Sequence, residues 1–156
     1  MEAAAAQDTG LFPSWRRQGW RHWINVRFRA GREQHAGAIL RVLSRSERAI
    51  ATVGLLQDAK ALIENPRNWA QAKYATLSGR RCAVGALRAA GSRVDDPNLA
   101  WRAHDLLMRV ARSRGFSSVE AMNDRSSHAG VLALFDEAIA LARGAVLAER
   151  EAMSPD

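Results

Sequence analysis

From Thr52 to Asn65 the chain sets apolar side chains at Val53, Leu55, Leu56, Ala59, Leu62 and Ile63, the spacing of a helix with one buried stripe. Asn65-Pro66 closes that helix, because the residue ahead of a proline is pushed out of helical angles. A second, shorter helix is expected from Cys82 through Val84, Leu87 and Ala90, ending on Gly91, a favourable helix C-terminal residue. Asp95-Asp96-Pro97-Asn98 reads as a turn feeding a third helix, Leu99 to Arg114. Its Ala103, Leu106, Leu107, Val110 and Ala111 share a face, and Gly115 is its stop. Ser117 and Glu120 stand at capping-box spacing, so a helical turn is expected to begin there and to die in a turn at Asn123-Asp124. Ser126 or Ser127 caps the last and longest helix. That helix has the clearest amphipathic signal in the chain, with Val131, Leu132, Leu134, Phe135, Ala138, Ile139, Ala142 and Val146 on one side.

The pattern predicts an all-α fold: a small helical bundle of three long and one or two short helices over residues 51-150, with a short tail at 151-156. Between Asn65 and Arg81, Trp69 and Tyr74 sit in a stretch that contains Pro66 and Gly79 and has no sustained periodicity. A loop or short helix there is expected to fold back so that the aromatics cover the core, or line a pocket together with Trp101.

Residues 1-50 break the helical pattern. Trp15, Trp20 and Trp23 are mixed with arginines, and Ile24, Val26 and Phe28 alternate with Asn25, Arg27 and Arg29 as in a strand, yet nothing downstream offers a pairing strand. The sequence leaves open a hairpin arm, a poorly patterned helix, an unfolded tail, or a true start of translation further on, at Val42 or Val53. Gln34 to Leu43 also retains a helical reading. This basic N-terminal extension is therefore of open order. Its nine arginines against four acids contrast with fourteen basic residues against twelve acids in the remainder, so most of the net charge of +7 is concentrated at this end. Only Lys60 and Lys73 are lysines, and thirty residues are alanine. The arginine excess thus reflects codon bias as readily as phosphate binding. If the extension does bind nucleic acid, Arg16, Arg17, Arg21, Arg27 and Arg29 are the candidates, interleaved with aromatics that stack on bases.

Length and a composition of 47% apolar and 25% charged residues fit one folded domain with a core. Charged residues interrupt every apolar run before it reaches the roughly 18 residues of a membrane span. The early acids do not suit a secretory signal, and a single cysteine fits a reducing compartment. A cytoplasmic protein without a membrane span is expected.

The candidate chemistry is sparse. Cys82, at a predicted helix start beside Arg80 and Arg81, has the surroundings that lower a thiol pKa. His128 and Asp124 would complete a nucleophile, base and orienter set if the fold brought all three together. The contrary reading makes Cys82 core filling among Ala83, Val84 and Ala86, and gives Asn123-Asp124 a turn-making role. A metal site would have to recruit Asp124, His128, Asp136 and His104, which follow no recognised ligand pattern, so no metal and no cofactor are expected. Asp136 and Glu137 are placed at the solvated edge of the last helix, and His104-Asp105 is read as a surface pair.

The order of these words carries a resemblance. Trp69, Gly79, Cys82-Ala83-Val84-Gly85-Ala86-Leu87, Gly115 to Ser117, Asn123-Asp124 and Phe135-Asp136-Glu137-Ala138-Ile139 through Ala142 resemble a family of small helical proteins from high-GC bacteria and their phages. As that pattern runs, tryptophan often precedes both the cysteine and the Asn-Asp pair, where this chain has Arg81 and Met122. The resemblance implies a helical domain and no particular activity. The functional expectation is a small non-enzymatic binding or regulatory protein that offers a helical surface to a protein partner. A cysteine-dependent enzyme using Cys82 and His128, and a nucleic-acid accessory protein using the extension, are the alternatives. Oligomeric state is not legible.

Overall fold

The computed structural model describes residues 44–152. Within them lie five α-helices and one 3-10 turn: α1 (Arg45–Ile63), the turn Pro66–Asn68, α2 (Ala83–Gly91), α3 (Pro97–Ser113), α4 (Val119–Arg125) and α5 (His128–Ala152). The all-α reading holds, with three long helices and two short ones. The proposals made for the first forty-three residues, including the five candidate arginines, lie outside the described residues.

α1 starts at Arg45, ahead of the expected Thr52. The cause is a capping box that the apolar periodicity could not reveal. The Ser44 hydroxyl accepts the Glu47 N–H at 3.2 Å, while the Glu47 carboxylate accepts the Ser44 N–H at 2.8 Å. Two orphan donors of the first turn are thereby satisfied. At the other end Asn65 is not the last helical residue. Its side chain accepts the Arg67 N–H at 2.9 Å and starts the 3-10 turn.

α3 begins as expected at the Asp96-Pro97 turn, with the Asp96 carboxylate accepting the Asn98 N–H at 2.8 Å. It stops at Gly115, whose φ of +83° lets the Phe116 N–H return to the Ala111 carbonyl at 3.0 Å. α4 is capped by Ser118, not Ser117: the Ser118 hydroxyl accepts the Ala121 N–H at 3.0 Å. Glu120 is therefore released from capping and turns to Tyr74 instead. For α5 the choice falls on Ser127, whose hydroxyl accepts the Gly130 N–H at 3.2 Å.

Leu55, Leu56, Ala59 and Ile63 of α1 meet Val131, Leu134, Phe135, Ala138 and Ile139 of α5 and Leu107, Val110 and Ala111 of α3 in one core. α1 and α5 run antiparallel, since His128 at the start of α5 bonds the last residue of α1 and Lys60 reaches Asp136 at 2.7 Å. α2 is enclosed on every side: Ala83, Val84, Gly85, Ala86 and Leu87 are all buried. A helix hemmed in this way must be built of small residues wherever backbone approaches it. At Gly85 an added Cβ would lie 1.7 Å from the Tyr74 carbonyl oxygen. No described helix is long and apolar enough to cross a membrane.

Two glycine substitutions separate helix propensity from steric exclusion. Gly54, in the middle of α1, has nothing within 4 Å of its missing Cβ, so Gly54→Ala is expected to stabilise the domain by about 0.5–1 kcal/mol. Gly85→Ala, which forces the Tyr74 backbone away, is expected to destabilise it by about 2 kcal/mol or more. Urea unfolding of the two variants beside the wild type measures both.

Candidate functional site

The segment between the 3-10 turn and α2 has no regular structure, yet backbone hydrogen bonds tie it together at several points. The Arg81 N–H donates to the Asn68 carbonyl (2.8 Å), and Ala70 N–H returns to the Arg81 carbonyl (2.9 Å). Thr76 N–H donates to the Arg80 carbonyl (2.9 Å), and Cys82 N–H to that of Tyr74 (3.3 Å). Trp69 and Ala75 both form isolated bridges with Arg81. The tip closes through Gly79, at φ +85°, with its N–H on the Thr76 carbonyl at 3.0 Å.

α4 holds this loop from below. Its residues Val119, Met122 and Asn123 face inward, and Asn123 is completely buried. The Asn123 Oδ1 accepts the indole N–H of Trp69 at 2.8 Å and the Ala83 N–H at 3.1 Å. Its Nδ2 donates to the Ala70 carbonyl at 3.0 Å and to Asp124 Oδ1, also at 3.0 Å. An asparagine side chain has two acceptor sites and two donors, and here all four are used. One amide thus joins the start of the loop, its end at the first turn of α2, and α4. Asp124 adds a bond from the Ala72 N–H at 2.7 Å, at a residue held in the left-handed region (φ 59°) without being glycine. The Gln71 side-chain amide lies 3.2–3.3 Å from the carbonyls of Asn123, Asp124 and Ser126, covering the C-terminal end of α4.

This is where the structure corrects the reading of Asn123-Asp124 as a turn between helices: both lie within α4. The clue was available in the sequence. Val119, Met122 and Asn123 stand at helical spacing, which places the asparagine on the apolar face, where an unpaired amide is costly.

The three catalytic candidates occupy separate structural roles. Cys82 is the N-cap of α2, 4% exposed, with Sγ accepting the Gly85 N–H at 3.4 Å. The helix start was expected to lower its pKa. Burial dominates instead and pushes the thiol up to about 11, although the Gly85 and Val84 N–H groups oppose the shift. His128 uses Nε2 on the Ile63 carbonyl at 2.7 Å and packs its ring against Trp69, centroids 5.4 Å apart. Asp124 is committed to the Ala72 N–H and the Asn123 amide. No hydrogen bond joins Cys82, His128 and Asp124 to one another as a set. Among the described residues no three His, Cys, Asp or Glu side chains form a metal-binding group.

Tyr74 does cover the bundle as expected. Its hydroxyl donates to Glu120 at 3.2 Å, and Arg88 lies 4.3 Å above its ring centroid. Burial, then the neighbouring Glu120 carboxylate, pushes its pKa up to about 12. Trp101 is elsewhere, 44% exposed, against His104 and beside a shallow cavity of about 380 Å³ with Arg48, Arg102 and Asp105. A pocket shared by Trp69, Tyr74 and Trp101 does not form. His104 is a correction too: it is half-buried rather than a surface group, and burial lowers its pKa. Asp136 and Glu137 stand on the exposed face of α5, paired with Lys60 and Arg114 respectively.

Asn123→Ala leaves the Trp69 indole, the Ala83 N–H and the Ala70 carbonyl unpaired, and is expected to destabilise the domain by about 3–5 kcal/mol. Gln71→Ala, at an exposed residue, is expected to change stability by less than about 1 kcal/mol; urea titration of both variants checks the ratio. The Cys82 thiol, two pH units above its ordinary value, is expected to react with iodoacetamide at pH 7 about a hundredfold more slowly than an unperturbed thiol. Full reactivity should return in denaturant. Because the folded pKa is raised, the stability linked to this thiol is complete below the unfolded value and is lost as pH climbs through about 11.

No curated protein and no solved structure matches the chain. A family described as a family of unknown function, DUF6197, matches residues 47–141. That span runs from the first turn of α1 into the second half of α5 and contains the Asn123 hub with everything it holds, so the chain belongs to this family.

Proposed function

We propose that this protein is a small, cytoplasmic, non-enzymatic binding or regulatory domain that meets a protein partner through a helical surface. The observation that carries the reading is an open groove of about 580 Å³ along α1 and α5. Ala61, Ile139, Ala140 and Leu147 supply its apolar lining, and Lys60, Glu64, Asp136 and Arg143 stand among its charged residues. A channel between two antiparallel helices, narrow in side chains and edged by both signs of charge, suits one amphipathic helix of a partner laid along it. Leu147 is 58% exposed and Ala140 and Gly144 are exposed, so a guest helix would remove apolar surface from water. The binding reading also draws on Cys82, His128 and Asp124, each of which has a side-chain polar atom engaged in holding the fold.

Ala140→Glu and Gly144→Glu place charge in the groove at exposed positions where the fold has room. Both are expected to leave the melting temperature within about 2 °C of wild type. Each should abolish binding of a partner that is captured from the native host by the wild-type chain and then reconstituted as a purified pair. Equal capture of every partner by the wild type and both variants would remove the groove from the functional account.

A further inference from the structure

From Asn65 to Val94 the chain contains no acidic residue and six cationic ones: Arg67, Lys73, Arg80, Arg81, Arg88 and Arg93. The loop held by Asn123 lies inside this run. Its inner side is settled: Arg88 lies over the Tyr74 ring, and Arg81 donates to the Gly79 carbonyl at 2.8 Å. The two carboxylates of α4 that approach the loop, Glu120 and Asp124, are engaged by the Tyr74 hydroxyl and the Ala72 N–H. On its outer side Arg67, Lys73 and Arg80 are exposed and make no ion pair among the described residues. At the tip Leu77 is fully exposed, at 111%, the most exposed large apolar side chain described. It is not on a fraying segment: Thr76 on one side and Arg80 on the other are joined by backbone and hydroxyl hydrogen bonds.

We infer that this loop, with the 3-10 turn before it, is a docking element for an acidic segment of a partner protein, with Leu77 meeting an apolar side chain and Arg67, Lys73 and Arg80 meeting carboxylates. The site shares no residue with the α1–α5 groove and goes beyond the function proposed above. Charge complementarity selects the occupant, because three exposed cations without an ion pair among the described residues, in a run that holds no acid, favour carboxylates and disfavour basic partners. Preorganisation strengthens the argument. A loop already fixed by the bundle loses little conformational entropy on binding. Stacking of single-stranded bases would need exposed rings, and the loop turns its rings inward: Trp69 toward Asn123 and His128, Tyr74 toward Glu120 and beneath Arg88.

The full-length chain is to be panned against a displayed library of random linear peptides, and the strongest binder synthesised for affinity measurement near physiological salt. The expected binder has carboxylates on both sides of an apolar residue. Leu77→Ser, and the double variant Arg67→Glu with Arg80→Glu, should each weaken it about tenfold or more, while Ala140→Glu in the groove leaves it unchanged. These loop positions are exposed, so thermal melting should show all variants folded. The inference is overturned if no peptide is enriched, if the enriched peptides lack acids, if the loop substitutions leave affinity intact, or if a single-stranded DNA oligonucleotide binds the loop more tightly than the peptide.

Discussion

A single buried amide ties the irregular part of this protein to its regular part. Without Asn123, α4 would present only Val119 and Met122 to the core, and the polar groups that flank the loop would lose their shared partner. With it, the Trp69 indole, the Ala70 carbonyl and the first N–H of α2 converge on one side chain. Buried amides are tolerated only when fully partnered, so the geometry of this site is strongly determined: moving any of the three segments strands a polar group in the core. The loop's shape is therefore a consequence of the helices, and its Ala72 is kept in a left-handed conformation that costs about 1–2 kcal/mol on its own.

The steric side of the same constraint is Gly85. The Tyr74 carbonyl approaches α2 so closely that the space a Cβ needs is taken by backbone. Cys82, as N-cap, and Gly85, as the N–H it accepts, lie on the same turn. The short run Cys82 to Leu87 thus has three separate requirements. It must start a helix without a strong oxygen cap, admit the loop backbone at one point, and fill the core with small and medium side chains elsewhere. Alanine and glycine meet the second and third, and a thiol, weak as an acceptor but at home in an apolar site, meets the first.

How much of this the sequence disclosed depended on which force governed each element. Where burial decided, as in α3 and α5, the apolar spacing found the helices; α3 was placed to within two residues with Gly115 as its stop, and the start of α5 was narrowed to Ser126 or Ser127. Where local polar chemistry decided, the reading slipped. The start of α1 was set by Ser44 and Glu47, a signal lying ahead of the periodic stretch, and the cap of α4 fell on Ser118 beside the chosen Ser117. The role of Asn123 could be glimpsed from its place on an apolar face, but its partners Trp69, Ala70 and Ala83 are forty or more residues away in sequence. No local pattern can name partners at that separation. The groove between α1 and α5 and the cationic tip at Leu77 are equally products of tertiary arrangement.

Cys82, His128 and Asp124, the residues with candidate chemistry, each hold part of the fold in place. A catalytic nucleophile, base or orienter needs an atom with spare hydrogen-bonding capacity, aimed at a place a substrate can enter. Here the sulfur is buried and shared with an N–H, the imidazole Nε2 is held by the end of α1, and Asp124 Oδ1 receives two donors from the loop and its neighbour. The same residue types, read by valence and not by identity, are the joints of a scaffold. What that scaffold leaves uncommitted are its exposed apolar side chains and unpaired cations. Surface of that kind contributes little to folding and stays open to contact from outside.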